Sequence, residues 1–104
     1  MIESEVIIVG GGPAGSACAW RLRQQKIDCI ILDQAQFPRA KPCAGWITPE
    51  VLRELEFDLH DYPHGLTPFS QFDISIYGIH FILPTKQYSI RRYEFDDWLL
   101  RRCG

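Results

Sequence analysis

The chain has 104 residues, of which 46% are hydrophobic and 23% are charged, and its formal net charge at pH 7 is −2. This composition is ordinary for a folded globular protein and excludes a low-complexity or disordered chain. The mildly acidic balance offers no basic surface for nucleic acid, and no apolar run approaches the roughly 20 residues of a membrane-spanning helix.

The first predicted element is an apolar strand, Val6–Val9, which runs into a glycine-rich turn. The turn matches the pattern GxGxxG through Gly10, Gly12 and Gly15. In a dinucleotide site the first glycine turns the chain sharply, the second lets the pyrophosphate approach the backbone, and the third lets the next helix lie close to the sheet. Because the same pattern also occurs in turns that bind nothing, the flanking elements must decide between the two interpretations.

A helix is predicted next, from Ala14 to Lys26, with Pro13 at its start. Proline suits a first helical position because its missing N–H would have no helical partner there. The free N–H groups and the positive dipole end of this helix would face the phosphates, so binding there needs no cationic side chain. Small and apolar residues at helical spacing predict the face that packs on the sheet: Ala14, Ala17, Cys18 and Leu22.

A second apolar strand, Cys29–Leu32, is predicted to end at Asp33, about 20 residues beyond the glycines. An acidic residue at this distance hydrogen-bonds the ribose hydroxyls of an adenine dinucleotide. Strand, turn, helix, strand and acid follow in the expected order, which favours a ligand site over a purely structural turn. The Asp33 carboxylate would repel a 2′-phosphate and no arginine directly follows it, so NADP is disfavoured, whereas NAD and FAD both stay open.

The next segment, Gln34–Trp46, is predicted to be a loop because it contains two prolines and a glycine and has no hydrophobic periodicity. A simple nicotinamide-binding domain would enter another helix soon after its second strand. A loop of this length therefore favours a segment laid along a cofactor. Within it, Arg39 and Lys41 are candidates to meet phosphate or flavin oxygens.

Beyond the loop, the sequence predicts a helix that begins at Thr48–Glu50 and stops by Phe57–Asp58. A connection rich in helix and strand breakers follows over Asp61–Pro68. Alternation of apolar and polar residues over Phe72–Tyr77, a break at Gly78 and a second apolar run predict a hairpin or a bulged strand pair.

Three parts of the chain carry a family resemblance: the GGGPAG turn with the acid that ends the second strand, the loop PRAKPCAGWITPEVL, and the later segment YSIRRYEFDDWLL. Together they resemble the N-terminal part of the geranylgeranyl reductase family of FAD-dependent oxidoreductases, a branch of the superfamily that includes p-hydroxybenzoate hydroxylase. The resemblance spans nearly the whole chain. The family loop reads P-R-x-K-x-C-G-G, and this chain departs from it at Ala44, where glycine is usual, and at Trp46, where the residue is often small.

This resemblance implies further site residues. It places the loop that carries Cys43, Ala44 and Gly45 near the flavin and the substrate cavity, which makes Cys43 a candidate active-site residue. Two interpretations of Cys43 stay open, a reactive thiol favoured by neighbouring cations or a small side chain packed under the loop. In the later segment the resemblance implies a short strand, an arginine and a helix, and this arginine, Arg92, is expected to approach the FAD phosphates or ribityl chain. The alternative for Arg92 is a surface cation, and Arg91 is expected to be solvated.

The cysteines and histidines predict neither disulfides nor a metal site. Four cysteines without CxxC spacing are typical of a reducing compartment, and the acidic Met1–Glu5 segment lacks the apolar region of a signal peptide, so a cytoplasmic location is expected. His60 and His64 are separated by four positions, but Pro63 between them breaks a helix, so we assign no metal.

The predicted fold class is α/β, a Rossmann-like FAD- or NAD(P)-binding β-α-β unit with a following loop, helix and β-hairpin. Residues 1–104 are expected to form the N-terminal part of an incomplete flavoprotein domain, with no second domain. The resemblance implies that the parent protein is an FAD-dependent oxidoreductase that reduces alkenes in an isoprenoid-like substrate, a small molecule or a lipid that would bring at most peripheral membrane contact. Three alternatives stay open: a flavin-dependent monooxygenase of the same superfamily, an NAD-binding module, and a non-catalytic fragment.

Overall fold

The computed structural model describes residues 3–104, and its backbone divides into two compact units. One unit combines the chain up to Pro42 with Arg92–Gly104, and the other is Cys43–Arg91. Met1 and Ile2, on which the prediction of no signal peptide partly depends, lie outside the described residues. The elements in chain order are β1 (Val6–Val9), α1 (Pro13–Gln24), β2 (Cys29–Leu32), β3 (Trp46–Ile47), α2 (Pro49–Glu54), β4 (Leu66–Ile76), β5 (Ile79–Ile90) and α3 (Arg92–Arg101). Across residues 3–104, the helices are too short or too polar for any of them to span a bilayer.

The first unit is built on the predicted parallel β-α-β element. Strands β1 and β2 are parallel, with Val6 opposite Cys29 and Val9 opposite Leu32, and α1 connects them. The helix ends at Gln24, slightly before the predicted end at Lys26. Helix α3 packs on α1 from the far end of the chain. The unit therefore joins the first and last segments of the sequence around one helix.

The inward face of α1 differs from the predicted one. All four residues of the predicted face are exposed or only half-buried: Ala14, Ala17, Cys18 and Leu22. Ser16 and Ala19 are buried instead, at 1% exposure each. The Sγ of buried Cys103, just beyond α3, donates to the Ser16 carbonyl at 3.1 Å. The prediction was wrong because it considered packing on the sheet alone, whereas α1 packs between the sheet and α3.

The second unit is an antiparallel three-stranded sheet with strand order β3-β5-β4. Strands β4 and β5 form a hairpin, the first of the two predicted alternatives, and their register is irregular between Phe69 and Gln71, before the predicted strand. Both strands extend further than predicted. Tyr77 and Gly78 connect them with φ values of 49° and 80°, as a two-residue turn of type I′ requires.

Helix α2 begins as predicted. Thr48 is the residue that precedes its first turn, Pro49 is the first helical residue, and Glu50 places a carboxylate near the positive end of the helix. Leu52 is the buried residue of the helix, which packs against β5.

Two loop predictions in this unit were wrong. Trp46, expected in the loop, lies in β3 opposite Ser89 of β5. Pro68, expected in the connection, lies in β4 opposite Tyr88. Strand β4 forms an edge of the sheet, where a proline can leave its missing N–H on the unpaired side. Both assignments depend on pairing with β5, which is distant along the chain, and local sequence patterns do not contain that information.

Candidate dinucleotide-binding site

The glycine-rich turn brings the start of α1 into direct contact with the end of β1. Gly10 has a φ of 105°, in the left-handed region that favours glycine, and its N–H donates to the Leu32 carbonyl at 2.7 Å. A Cβ on Gly15 would collide with the Gly10 carbonyl oxygen and would stand 3.2 Å from Cγ2 of Ile8. The first glycine thus makes the turn, and the third permits the close approach of helix and strand.

No side chain caps the amino end of the helix that leaves this turn by a hydrogen bond. Gly12 is the residue that precedes the first turn, and its carbonyl accepts the first helical hydrogen bond from Ser16 at 2.9 Å. The N–H groups of Ala14 and Gly15 precede that bond and have no acceptor within the helix. Pro13 has no N–H to satisfy. The arrangement matches the general form of an anion site at a helix N-terminus.

Gly12 and Gly15 differ in how closely other atoms would approach an added side chain. A Cβ on Gly12 would meet only Nη2 of Arg39, at 3.6 Å, which is ordinary van der Waals contact. The fold therefore tolerates a methyl group at Gly12 but not at Gly15. Packing therefore does not require a glycine at position 12, which lies at the start of α1 beside the Arg39 guanidinium.

Asp33 is tied to the turn by two backbone hydrogen bonds. Its Oδ2 accepts the Gly11 N–H and its Oδ1 accepts the Ala35 N–H, both at 2.8 Å. These bonds, with smaller contributions from the positive charges of Arg39 and Lys41, hold the pKa of the Asp33 carboxyl below its usual range. The side chain is exposed and ionised, and its oxygens retain lone pairs that can accept hydrogen bonds from hydroxyl groups.

Arg39 and Arg92, which the sequence predicts as separate cations of the site, share one carboxylate. Nη1 of Arg39 donates to Oδ2 of Asp96 at 2.8 Å, while Arg92 donates from Nε to Oδ1 at 2.7 Å and from Nη2 to Oδ2 at 2.9 Å. The Asp96 side chain is 1% exposed. Arg91, in contrast, is exposed, as expected. Sequence reasoning missed Asp96, although its position four residues after Arg92 in a predicted helix is a signal for such a pair.

The structure gathers most of the predicted residues in the first unit. The guanidinium of Arg39 lies over the ring of Phe37, 4.5 Å from its centroid, with Nη2 directed to Gly12. Lys41 is exposed and close enough to Asp33 to affect its pKa. The predicted residues that belong to this unit are Gly10, Gly12, Pro13, Ala14, Gly15, Asp33, Arg39, Lys41 and Arg92.

The other three predicted residues, Cys43, Ala44 and Gly45, belong to the second unit. Cys43 is exposed, and its Sγ accepts the Gly45 N–H at 3.4 Å, so the interpretation of a side chain packed under the loop was wrong. Gly45 is buried with a φ of 75°, and a Cβ there would collide with the Ile90 carbonyl oxygen. Ala44 does not adopt a positive φ, so its departure from the family loop causes no backbone strain.

Within residues 3–104, the His, Cys, Asp and Glu side chains form no cluster of three or more that could hold a metal ion. None of the four cysteines forms a disulfide; Cys18 and Cys43 are exposed and Cys103 is buried.

The turn, the helix terminus and the acid at the end of β2 define a Rossmann-like dinucleotide-binding unit. The family model of NAD(P)-binding Rossmann-like domains matches residues 8–93, and the chain belongs to this family.

The chain is also similar to individual proteins of known name and to solved structures. It is 34% identical over 106 residues to a geranylgeranyl diphosphate reductase of Rhodobacter capsulatus, an alignment that covers 99% of this chain and 26% of that protein. It is 36% identical over 105 residues to a menaquinone reductase of Mycolicibacterium smegmatis, with 91% of this chain and 25% of that protein covered. Among solved structures, a flavin-dependent brominase superposes with a TM-score of 0.75 at 25% identity over 96% of this chain and 27% of that chain.

These similarities confirm the predicted α/β Rossmann-like fold and the resemblance to geranylgeranyl reductases. The chain spans about a quarter of the length of the curated relatives it matches.

Substitution of Gly15 by alanine should destabilise the fold, because the new methyl group would collide with the Gly10 carbonyl oxygen. We expect Gly15→Ala to lower the free energy of unfolding by about 1–3 kcal/mol, measured by urea denaturation. Gly65→Ala is the matched control, since a Cβ at Gly65 meets nothing within 4 Å. Equal stability of the two variants would contradict the close approach of α1 to β1.

The hydrogen bonds to Asp33 predict a pH-dependent contribution to stability. Because the folded-state pKa lies below the unfolded value, the contribution is complete above about pH 4 and is lost as pH falls through the folded-state pKa. Asp33→Asn should therefore unfold at a lower temperature than the wild type near neutral pH, and the difference should shrink in strong acid. Thermal unfolding over a pH series measures this, with Asp73→Asn, an exposed carboxylate on β4, as the control. A difference that is constant with pH would argue against these bonds.

Proposed function

We propose that this chain binds the ADP half of FAD and that the protein containing it is a flavin-dependent oxidoreductase. The observation that carries the proposal is Gly12, which precedes the first turn of α1 and where a Cβ would meet only Nη2 of Arg39, so that packing does not require the missing side chain. An uncovered backbone beside a cation suits a diphosphate.

The first unit offers suitable residues for each chemical group of the ADP half. The diphosphate would meet the N–H groups of Ala14 and Gly15 at the start of α1 and the guanidinium of Arg39. The ribose hydroxyls would donate to the ionised Asp33 carboxylate, which the turn already holds in place. Arg92 and Lys41 would add positive charge around the same group. The brominase whose fold this chain shares is flavin-dependent, which supports FAD over NAD.

The substrate proposal is reduction of an alkene in an isoprenoid-like compound. It is supported by the relatives, which include reductases of geranylgeranyl diphosphate and of menaquinone. When bound, reduced FAD would supply two electrons as a hydride to one alkene carbon, a proton from water would complete the other carbon, and a separate donor would restore the reduced form of the flavin. The exposed Cys43 is a candidate to contact the substrate or the flavin. A lipid-like substrate would call for peripheral membrane contact, and four cysteines that form no disulfide support a cytoplasmic location.

Gly12→Ala tests the cofactor proposal in the full-length protein. A methyl group at this position would keep the diphosphate away from the backbone while meeting only ordinary contact in the fold. We expect the variant to bind FAD at least about tenfold more weakly, a loss of about 1.4 kcal/mol, with a melting temperature of the cofactor-free protein close to that of the wild type. Titration followed by flavin fluorescence gives the dissociation constant.

Gly65→Ala serves again as the control and should bind FAD as the wild type does. An unchanged dissociation constant in Gly12→Ala would contradict the proposal. Binding of NADH without any binding of FAD would instead support the NAD-binding module.

A flavin-dependent monooxygenase is the second candidate, because the similarity to a brominase shows that this fold is not confined to reductases. Turnover of geranylgeranyl diphosphate by the full-length protein, with dithionite as the electron donor, distinguishes the two. We expect a product that has gained two hydrogen atoms at a double bond under anaerobic conditions, detected by mass spectrometry. A substrate left unchanged without air, together with an aromatic compound that gains one oxygen atom in air, would favour the monooxygenase.

A further inference from the structure

Asp96 is the most deeply buried carboxylate of the described chain to which no binding role has been given. Its side chain is 1% exposed, yet it lies between two arginines whose side chains are 18% and 20% exposed. A buried charge is costly unless it is paired and hydrogen-bonded, and Asp96 accepts three charge-assisted hydrogen bonds. The question is what this pairing does for the surface next to it.

The geometry gives Asp96 different relations to the two arginines. Arg92 lies one helical turn before Asp96 in α3 and donates hydrogen bonds from Nε and Nη2 to both carboxylate oxygens. Arg39 comes from the loop after β2 and contacts Asp96 through Nη1 alone. The planar guanidinium of Arg39 is thereby fixed at one terminal nitrogen while the other, Nη2, lies toward Gly12. The ring of Phe37 supports its face.

The shared carboxylate also permits the two cations to lie together. Nη1 of Arg39 and Nη2 of Arg92 approach the same oxygen, Oδ2, at 2.8 and 2.9 Å. Two guanidinium groups so close would repel each other without an anion between them. With Asp96 in place the cluster keeps one excess positive charge, held in a fixed position beside the amino end of α1.

We propose that Asp96 is a positioning residue that orients Arg39 toward the diphosphate of the bound dinucleotide. This inference rests on the proposed FAD site. It assigns a role to a residue that does not touch the cofactor and acts through Arg39. The rigid fork of arginine suits this role, because one nitrogen can bond the carboxylate while the other bonds a phosphate oxygen.

The direction in which FAD affinity changes when Asp96 is replaced distinguishes a positioning role from an effect of its negative charge alone. If Asp96 acted only through its negative charge, its removal would strengthen the binding of an anionic ligand nearby. If it positions Arg39, its removal lets the guanidinium move and weakens binding in spite of the more favourable net charge. The two accounts predict opposite changes in the dissociation constant of FAD.

The experiment measures FAD binding to the full-length wild type, Asp96→Asn, Arg39→Gln and the double variant. We expect Asp96→Asn to bind FAD about tenfold more weakly, which corresponds to about 1.4 kcal/mol. The double variant should bind no more weakly than Arg39→Gln, because Asp96 acts through Arg39. Additive losses would indicate a merely structural role and would overturn the proposal, as would wild-type or tighter binding by Asp96→Asn.

Asp97→Asn is the matched control for the neighbouring helix position. Asp97 pairs with Arg101 at 2.8 Å, also four residues apart; the Asp97 side chain is 16% exposed and that of Arg101 is 69% exposed. This variant should bind FAD as the wild type does, and a loss equal to that of Asp96→Asn would overturn the proposal.

A second variant covers the case in which Asp96→Asn does not fold. Arg39→Lys preserves the charge and the pair between Asp96 and Arg92, but an ammonium group cannot bond the carboxylate and a phosphate with fork geometry. It should weaken FAD binding by a similar factor, and wild-type affinity would overturn the proposal. A wild-type protein that does not bind FAD would contradict the proposed function itself, whereas the outcomes above concern Asp96 alone.

Discussion

The contact between Gly15 and the Gly10 carbonyl is the constraint on which the first unit depends. It allows α1 to begin directly at the end of β1, at a distance that no side chain at Gly15 would permit. Because protein interiors are closely packed, a helix displaced by even a methyl group would move everything attached to its first turn. The Gly11 N–H would leave the Asp33 carboxylate, and the free N–H groups of the helix would no longer converge on the space over Gly12.

Two carboxylates flank a surface that we propose receives an anion, and each is occupied by strong donors. Asp33 accepts two backbone N–H groups, and Asp96 accepts two guanidinium groups. In both cases the carboxylate is hydrogen-bonded by groups of the protein: Asp33 by the turn, and Asp96 by the two cations. An anion site built in this way relies on oriented groups, so the placement of charge matters more than its total amount.

The sequence predicts those parts of the fold that local patterns determine. Strand β1, the turn, α1 and β2 follow from apolar runs and from glycines with separate steric functions. The start of α2 follows from Thr48 and Pro49. What could not be predicted depends on partners distant along the chain. The buried face of α1 depends on α3, β3 depends on β5, and the ion pair of Arg39 joins residues 57 positions apart.

In the candidate site, too, the residues set by local sequence patterns could be predicted and those set by distant contacts could not. Gly10, Gly12, Gly15 and Asp33 could be proposed as site residues from the sequence because their spacing reflects one continuous β-α-β element. Asp96 could not be connected to Arg39 from sequence alone, because the loop after β2 and the helix α3 meet only in the folded unit. The pair between Arg39 and Asp96 has no characteristic sequence spacing. The pair between Arg92 and Asp96 does, because the two residues are four positions apart in α3.

The similarity of one chain to both reductases and a brominase follows from what this part of the fold does. A dinucleotide site needs a tight turn, an uncovered helix terminus and an acid for the ribose, and none of these depends on the reaction that the cofactor performs. The first unit meets these requirements with its own residues, whereas the Cys43 loop belongs to the second. The loop is held differently, since the Gly45 carbonyl accepts the Ile90 N–H at 2.8 Å and leaves Cys43 exposed. The glycine turn and the Cys43 loop are therefore built by separate sets of contacts, each within its own unit.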